Sequence, residues 1–468
     1  MNKIMNYTFR TVYPGVYTDE EKAELARFQE QRDKINKRGP IDLDALVSGA
    51  LTGTPGITSY VVTEEEAERA SRQFDPENPL YSDDKYAQGE GYKARLAWPG
   101  FASHDHAFTV PMPKLFRDVL MPTAHEVQTK WHAPIYVGDR LFFVCEYQNV
   151  IDGTLGGSVF RTWCITCGGK VYNQEKTLVA EYEIRIQENL RLIDRSATVV
   201  VDGEDAAARH ERSMKVQNAD AEWECSDWWH RPPHVYTDED YEILMDIWHR
   251  EKRQGAEPLY WEDVRVGDRP AWTCEGPIRE TPHPSMTCGM GMGGGMPRRK
   301  EVMDPAIRKT MKRDPRDGIY YMPGDREIDY SKDPDHDVWD YKDYRHNMIN
   351  YFSRDCAIRM INNWMGDHGK LKEINWLIMP VALGYEDQVG HFRDPLPRRW
   401  LSRVPGMEDK RAIEHGLEND TYIVKSYITD KYVKDGHFLA EMVWWIETLD
   451  DAIVTEGSAT IELPSKNA

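Results

Sequence analysis

The four residues Val-Gly-Asp-Arg occur twice in this chain, at 137–140 and at 266–269, each time ahead of an apolar or aromatic run. The first copy sits in APIYVGDRLFFVCEYQNV (Ala133 to Val150) and the second in YWEDVRVGDRPAWTCEGPI (Tyr260 to Ile278). A glycine followed by a short polar residue sets a turn, and the run behind it reads as a strand. Two copies of one turn-to-strand element restrict the chain to architectures assembled from similar units. Its 468 residues agree, being too many for one small core and enough for two or three domains.

Both halves end in strand patterns. SVFRTWCITC (158–167) sets Phe160, Thr162 and Cys164 against Val159, Arg161 and Trp163, and LVAEYEIRI (178–186) follows a polar turn. The C-terminal part repeats the theme with TYIVKSYITDKYV (421–433), FLAEMVWWIETLD (438–450) and SATIELP (458–464). Alternation with period two is the mark of antiparallel strands with one buried face.

Two segments have helical spacing instead. Behind Thr237, the residues Tyr241, Leu244, Met245 and Trp248 share a face, with Gly255 as the stop. In 346–369, Met348, Ile349, Phe352, Cys356, Met360 and Trp364 recur at steps of three and four, and Gly366 and Gly369 close the run. One long helix among many long strands predicts an α+β chain in which an antiparallel sheet wraps a helix, the hot-dog architecture. The expected organisation is a first domain over 1–190, a linker and helix over 191–255, and a second domain over 256–468 with an insertion at 280–335.

Charge and cysteine usage narrow the partners. Lys and Arg total 59 against 79 Asp and Glu, a net charge of −20 that disfavours a general nucleic-acid binder. The local basic clusters Arg298-Arg299-Lys300 and Arg398-Arg399 read as solvated surface. MNKIMNYTFR at the start lacks an apolar core, and no run approaches about 18 apolar residues, so no membrane partner and a cytoplasmic location are expected. Seven scattered cysteines suit a reducing compartment. Cys164 and Cys167, three apart on a strand, point to opposite faces and make a poor metal clamp; no metal is expected. His104-Asp105-His106 has equally unhelpful spacing and reads as structural.

NPLYSDDKYA (78–87), HEVQTKWHAPIYVGDRL (125–141), PHVYTDEDY (233–241), GAEPLYWEDVRVGD (255–268), NNWMGDHG (362–369) and GSATIELPSK (457–466) are spread through both halves. In this ordered set the sequence resembles the MaoC-like dehydratase family, which includes the (R)-specific enoyl-CoA hydratases, in its two-domain, double hot-dog form. It implies water addition to, or removal from, the double bond of an acyl-CoA thioester, with no further cofactor and with self-association into a homo-oligomer. An Asp and a His sharing one water would do the chemistry, while backbone N–H groups polarise the thioester carbonyl.

In the family that pair sits in a loop of the form Gly-Asp-x-Asn-Pro-(apolar)-His. Here Asn78-Pro79-Leu80 matches the core, Tyr81 stands at the histidine place, and Asp75 falls one residue before the aspartate place, which Pro76 occupies. A tyrosine near pKa 10 used as a base at neutral pH costs roughly 4 kcal/mol at about 1.4 per unit. The resemblance therefore implies a pocket-forming first half in which Asp75, Asn78 and Tyr81 bind substrate. Catalysis would fall to the second half, to His336 in DPDH with Asp329 nearby, or to His346 with Asp340 or Asp343.

Gly289, Gly291 and Gly294 spell G-x-G-x-x-G, but prolines at 282, 284 and 297 remove the strand and helix that a dinucleotide site needs. Gly291 and Gly293, among Met290, Met292 and Met296, are expected instead to let the backbone approach an acyl or pantetheine chain. Two other functions compete: an acyl-CoA-binding or structural subunit with a degenerate site, and a hot-dog thioesterase, which would release free CoA thiol.

Overall fold

The computed structural model describes residues 19–102, 120–152, 160–191, 234–277, 302–315, 317–321, 353–379, 400–410 and 420–467. They fall into two compact units.

The first unit contains helices α1 (Asp19–Asn36) and α2 (Leu43–Val47) and strands β1 (Ile57–Val61), β2 (Leu120–Trp131), β3 (Arg140–Asp152), β4 (Phe160–Tyr172) and β5 (Leu178–Arg191). Its strands run β1-β3-β4-β5-β2, every neighbour antiparallel. Leu46, Ile57, Phe142 and Val144 form a core under α2. Helix α1 is tied to β3 through Asn36, whose amide donates to the Gln148 carbonyl and accepts from the Gln148 N–H, both at 2.8 Å.

The second unit takes Thr63–Phe101 together with the described residues from 234 to 378 and from 400 onward. Its helices are α3 (Glu64–Phe74), α4 (Asp84–Gly89), α5 (Asp238–Arg250), α6 (Pro305–Arg308) and α7 (Ser353–Met365). Its strands are β6 (Thr273–Glu275), the short pair β7 (Lys312–Arg313) and β8 (Tyr320–Tyr321), then β9 (Lys370–Met379), β10 (Tyr422–Lys434), β11 (His437–Glu447) and β12 (Ile453–Glu462). The large sheet runs β6-β10-β11-β12-β9, again antiparallel throughout.

Leaving aside the β7–β8 pair, both units therefore have the same order: first strand, third, fourth, fifth, second. The halves repeat at the level of topology, in an α+β fold consistent with a double hot-dog arrangement. The Val-Gly-Asp-Arg match is out of phase with that repeat. Its first copy leads into β3, the third strand of its unit, while the second precedes β6, the first strand of its own.

What the two copies do share is a turn. In each, the Asp carboxylate accepts from the N–H three residues back, Tyr136 to Asp139 at 2.9 Å and Arg265 to Asp268 at 2.8 Å. Gly138 and Gly267 adopt φ of 90° and 101°, which glycine reaches without strain. Each then bonds across to a neighbouring segment, Gly138 to Val62 at 2.8 Å and Gly267 to Ile428 at 2.9 Å.

Both expected helices form, with altered ends. Thr237 caps α5 in a capping box with Asp240 and buries Tyr241, Leu244, Ile247 and Trp248. The helix stops at Arg250, before Gly255, because Glu251 turns to extended backbone, where its carboxylate meets Arg359 and Asn363. Helix α7 ends at Met365 with Gly366 at φ 70°. Met348, Ile349 and Phe352 of the expected helix lie outside the described residues. All of α7 except Trp364 is buried, so it is a core helix with the sheet around it.

Gly457, in the middle of β12, pairs with Trp444 and Trp376, and a Cβ there would press on the Asn375 carbonyl and the Trp444 ring. Neither neighbour is the free end of a flexible side chain. Gly457→Ala is expected to destabilise the fold by about 1–3 kcal/mol in urea unfolding; a loss within error would mean that the ring can move aside.

Candidate functional site

The Asn-Pro loop is built by two stop signals in series. Thr63 and Glu66 cap α3 reciprocally, and α3 ends at Asp75, whose N–H still bonds Ser71 at 3.0 Å. Asn78 then caps a single 3-10 turn, Pro79–Tyr81, by accepting from the Leu80 N–H at 3.1 Å. Proline at the first position of that turn costs no hydrogen bond. The turn swings Tyr81 inward, where its ring packs at 5.2 Å from Trp98, itself 5.3 Å from Phe74.

Asp75, Asn78 and Tyr81 converge on α7. The Asn78 amide donates to Asp75 Oδ2 at 3.0 Å. The Asn362 amide reaches both Tyr81 Oη at 3.0 Å and Asp75 Oδ2 at 3.5 Å. Arg253 donates to Asn78 Oδ1 at 2.9 Å and is paired with Asp367. Tyr86 closes the circuit by donating to Asp367 Oδ2 at 2.6 Å.

Asp75 is 1% exposed and Tyr81 6%. Burial pushes the Asp75 carboxyl up to about 7, against the opposing pull of the Asn78 and Asn362 amides and the Arg253 guanidinium. Burial, and then the nearby Asp75, push Tyr81 well above its usual value. The phenol therefore stays protonated, accepting from Asn362 and keeping its own proton to give. A carboxyl that changes state near neutrality beside a protonated phenol can move a proton in either direction at physiological pH.

The charges of α7 are paired beneath this cluster. Arg354 grips Asp355 at 3.0 Å through both carboxylate oxygens, and Trp98 Nε1 donates to Asp355 at 2.6 Å. Arg359 lies between Glu251 and Glu275, with Asn363 donating to Glu251 at 2.8 Å.

Of the residues named from sequence, Asp75, Asn78 and Tyr81 are thus brought together. His336, His346, Asp340, Asp329, Gly291 and Gly293 lie outside the described residues, as do His104, Asp105 and His106. Sequence reasoning missed Asn362 and Arg253 as site residues. The available signal for Asn362 was its pairing with Asn363 in a helix whose apolar residues recur at helical spacing. Among the described residues no group of three or more His, Cys, Asp or Glu could hold a metal ion, and no helix is long and apolar enough to cross a membrane.

The chain thus combines an α+β fold of repeated antiparallel sheets with a buried polar cluster, Asp75, Asn78 and Tyr81, packed against a core helix. No family model and no curated protein matches the chain. Among solved structures it is similar to a MaoC domain protein of Chloroflexus aurantiacus J-10-fl, with 13% identity over 87% of this chain and 93% of that one and a TM-score of 0.42. A MaoC-like dehydratase is 14% identical over 91% and 100% of the two chains, with a TM-score of 0.39. A Mycobacterium tuberculosis protein with a double hot-dog fold is 9% identical over 87% and 93%, with a TM-score of 0.40. Overlays this loose leave the chemistry to be read from the chain's own residues.

Proposed function

We propose that this protein is an acyl-CoA hydratase/dehydratase of the MaoC-like hot-dog kind, with Asp75 as its acid-base group. The observation that carries this reading is the buried carboxyl held to a pKa of about 7 on a frame of Asn78, Asn362 and Tyr81. In hydration, the Asp75 carboxylate takes a proton from water as the water oxygen bonds the β-carbon of a 2-enoyl thioester. The same proton then goes to the α-carbon, and dehydration is the reverse. Tyr81 would donate a hydrogen bond to oxygen, the role a protonated phenol performs well. Gly291 and Gly293 are proposed to approach the thioester chain. His336 or His346, with Asp340 or Asp329, is the proposed second-half base, to be compared directly with Asp75.

A panel of short, branched and aromatic 2-enoyl-CoAs, followed by loss of enoyl-thioester absorbance, tests the assignment. Asp75→Asn is expected to lower kcat/KM at least 100-fold and to remove a rise in hydration rate through about pH 7. If His336→Ala or His346→Ala abolishes turnover while Asp75→Asn does not, the base belongs to the second half. The closure of the cluster favours a second reading, a binding subunit: CoA esters would bind without turnover. Release of free thiol from a saturated acyl-CoA would identify a thioesterase instead.

A further inference from the structure

Past Arg250 the chain leaves α5 and is laid along the end of α7. Gln254 N–H bonds the Asn363 carbonyl at 2.7 Å, and Asp367 N–H bonds the Gly255 carbonyl at 2.9 Å. This holds Arg253 against the Asp75 loop, where its Nη2 donates to Asn78 Oδ1 at 2.9 Å and pairs with Asp367. Arg253 Nε is buried with no partner among the described residues. Native interiors rarely leave such a donor unpaired, so the pose serves Asn78 and Asp367 rather than the full bonding of the guanidinium.

That contact decides which way Asn78 faces. Two donors meet one end of its carboxamide, Leu80 N–H at 3.1 Å and Arg253 at 2.9 Å, so only the amide oxygen fits there. The amide nitrogen must then face Asp75, where it donates to Oδ2 at 3.0 Å, and Asn362 brings its own donor to the same oxygen at 3.5 Å. A carboxylate oxygen has about two lone-pair sites, and both on Oδ2 are taken. When Asp75 is protonated, the proton therefore sits on Oδ1. The titratable and charged groups around it are Tyr81 in its own loop, Glu251 and Arg253 behind α5, and Asp367 behind α7 with Tyr86 and Tyr92 bonded to it. Glu251 is itself paired with Arg359.

We propose that Arg253 is a positioning residue for Asp75: by holding the Asn78 oxygen it turns the amide donor onto Oδ2 and reserves Oδ1 for the proton. Its place in catalysis rests on the reading of Asp75 as the acid-base group.

Arg253→Met with Asp367→Asn removes the guanidinium without stranding a buried carboxylate, leaves the local net charge unchanged, and keeps an acceptor for Tyr86. The protonated Asp75 carboxyl is followed in the folded protein as the infrared acid band that Asp75→Asn lacks. Without Arg253 the Asn78 amide is free to turn its donor away, and losing a hydrogen bond to the carboxylate favours the protonated form. The midpoint of the band should rise from about 7 by about one unit, and the inflection of the hydration rate should move with it. With Asn78→Ala already in place, the same pair of substitutions should add no further rise. The proposal is overturned if the midpoint stays at its wild-type value, or if the full rise recurs in the Asn78→Ala background, since Arg253 would then act by its field alone. A midpoint that rises while the rate profile stays put would sustain the positioning role and instead sink the assignment of the reaction to Asp75.

Discussion

Replacing Asp75 by Asn should make the protein more stable above neutral pH and leave its stability near pH 4 unchanged. Folded Asp75 holds its proton to about pH 7 because burial penalises the carboxylate, whereas an unfolded aspartate releases it near 4. Between those values the folded state binds more protons than the unfolded one. Stability therefore falls as pH rises through this window, and the loss is complete above the folded pKa. Three units at about 1.4 kcal/mol each give roughly 4 kcal/mol, an order-of-magnitude figure for a fully buried group.

The variant presents a neutral amide whose oxygen can still accept from Asn78 and Asn362. Urea unfolding from pH 4 to 8 isolates the effect, since other titrations largely cancel in the difference between wild type and variant. A flat difference would mean that Asp75 ionises as an exposed aspartate does. Gain of stability with loss of turnover in the same variant is the trade expected of a group kept for chemistry.

The second large effect is expected at Arg359. Its guanidinium separates Glu251 and Glu275, and the side chains of all three are buried or nearly so. Arg359→Met would leave two carboxylates facing each other without a cation, at a cost of about 3–5 kcal/mol. Adding Glu251→Gln and Glu275→Gln should recover most of that loss, because amides need no counter-charge. The urea midpoints of the single and triple variants decide it: a single-variant cost below about 1 kcal/mol, or no recovery in the triple, would show that the pairs are solvent-screened.

Much of the frame was legible in local pattern. Alternation located β4, β5, β10, β11 and β12, and helical spacing located α5 and the core part of α7. These signals work because a strand or helix with one buried face must repeat its apolar residues with its own period. The Asn-Pro loop was also legible, since Asn78 and Pro79 act on neighbouring backbone. The capping box of α3 was equally local, Thr63 with Glu66, and went unread because that helix is polar on most of its surface.

Local pattern thus reached five of the long strands, the core helices α5 and α7, the tight turn at each Val-Gly-Asp-Arg and the presence of Tyr81 where a histidine would be the stronger base, but not β1, β2 or β9. That 63–101 packs in one unit with α7, some 280 residues further along, is a property of the folded chain alone. That contact sets the Asp75 pKa, because desolvation and the Asn362 and Arg253 contacts depend on what surrounds the carboxyl in space. Local periodicity records which face of an element is buried, and carries no record of which distant element covers it.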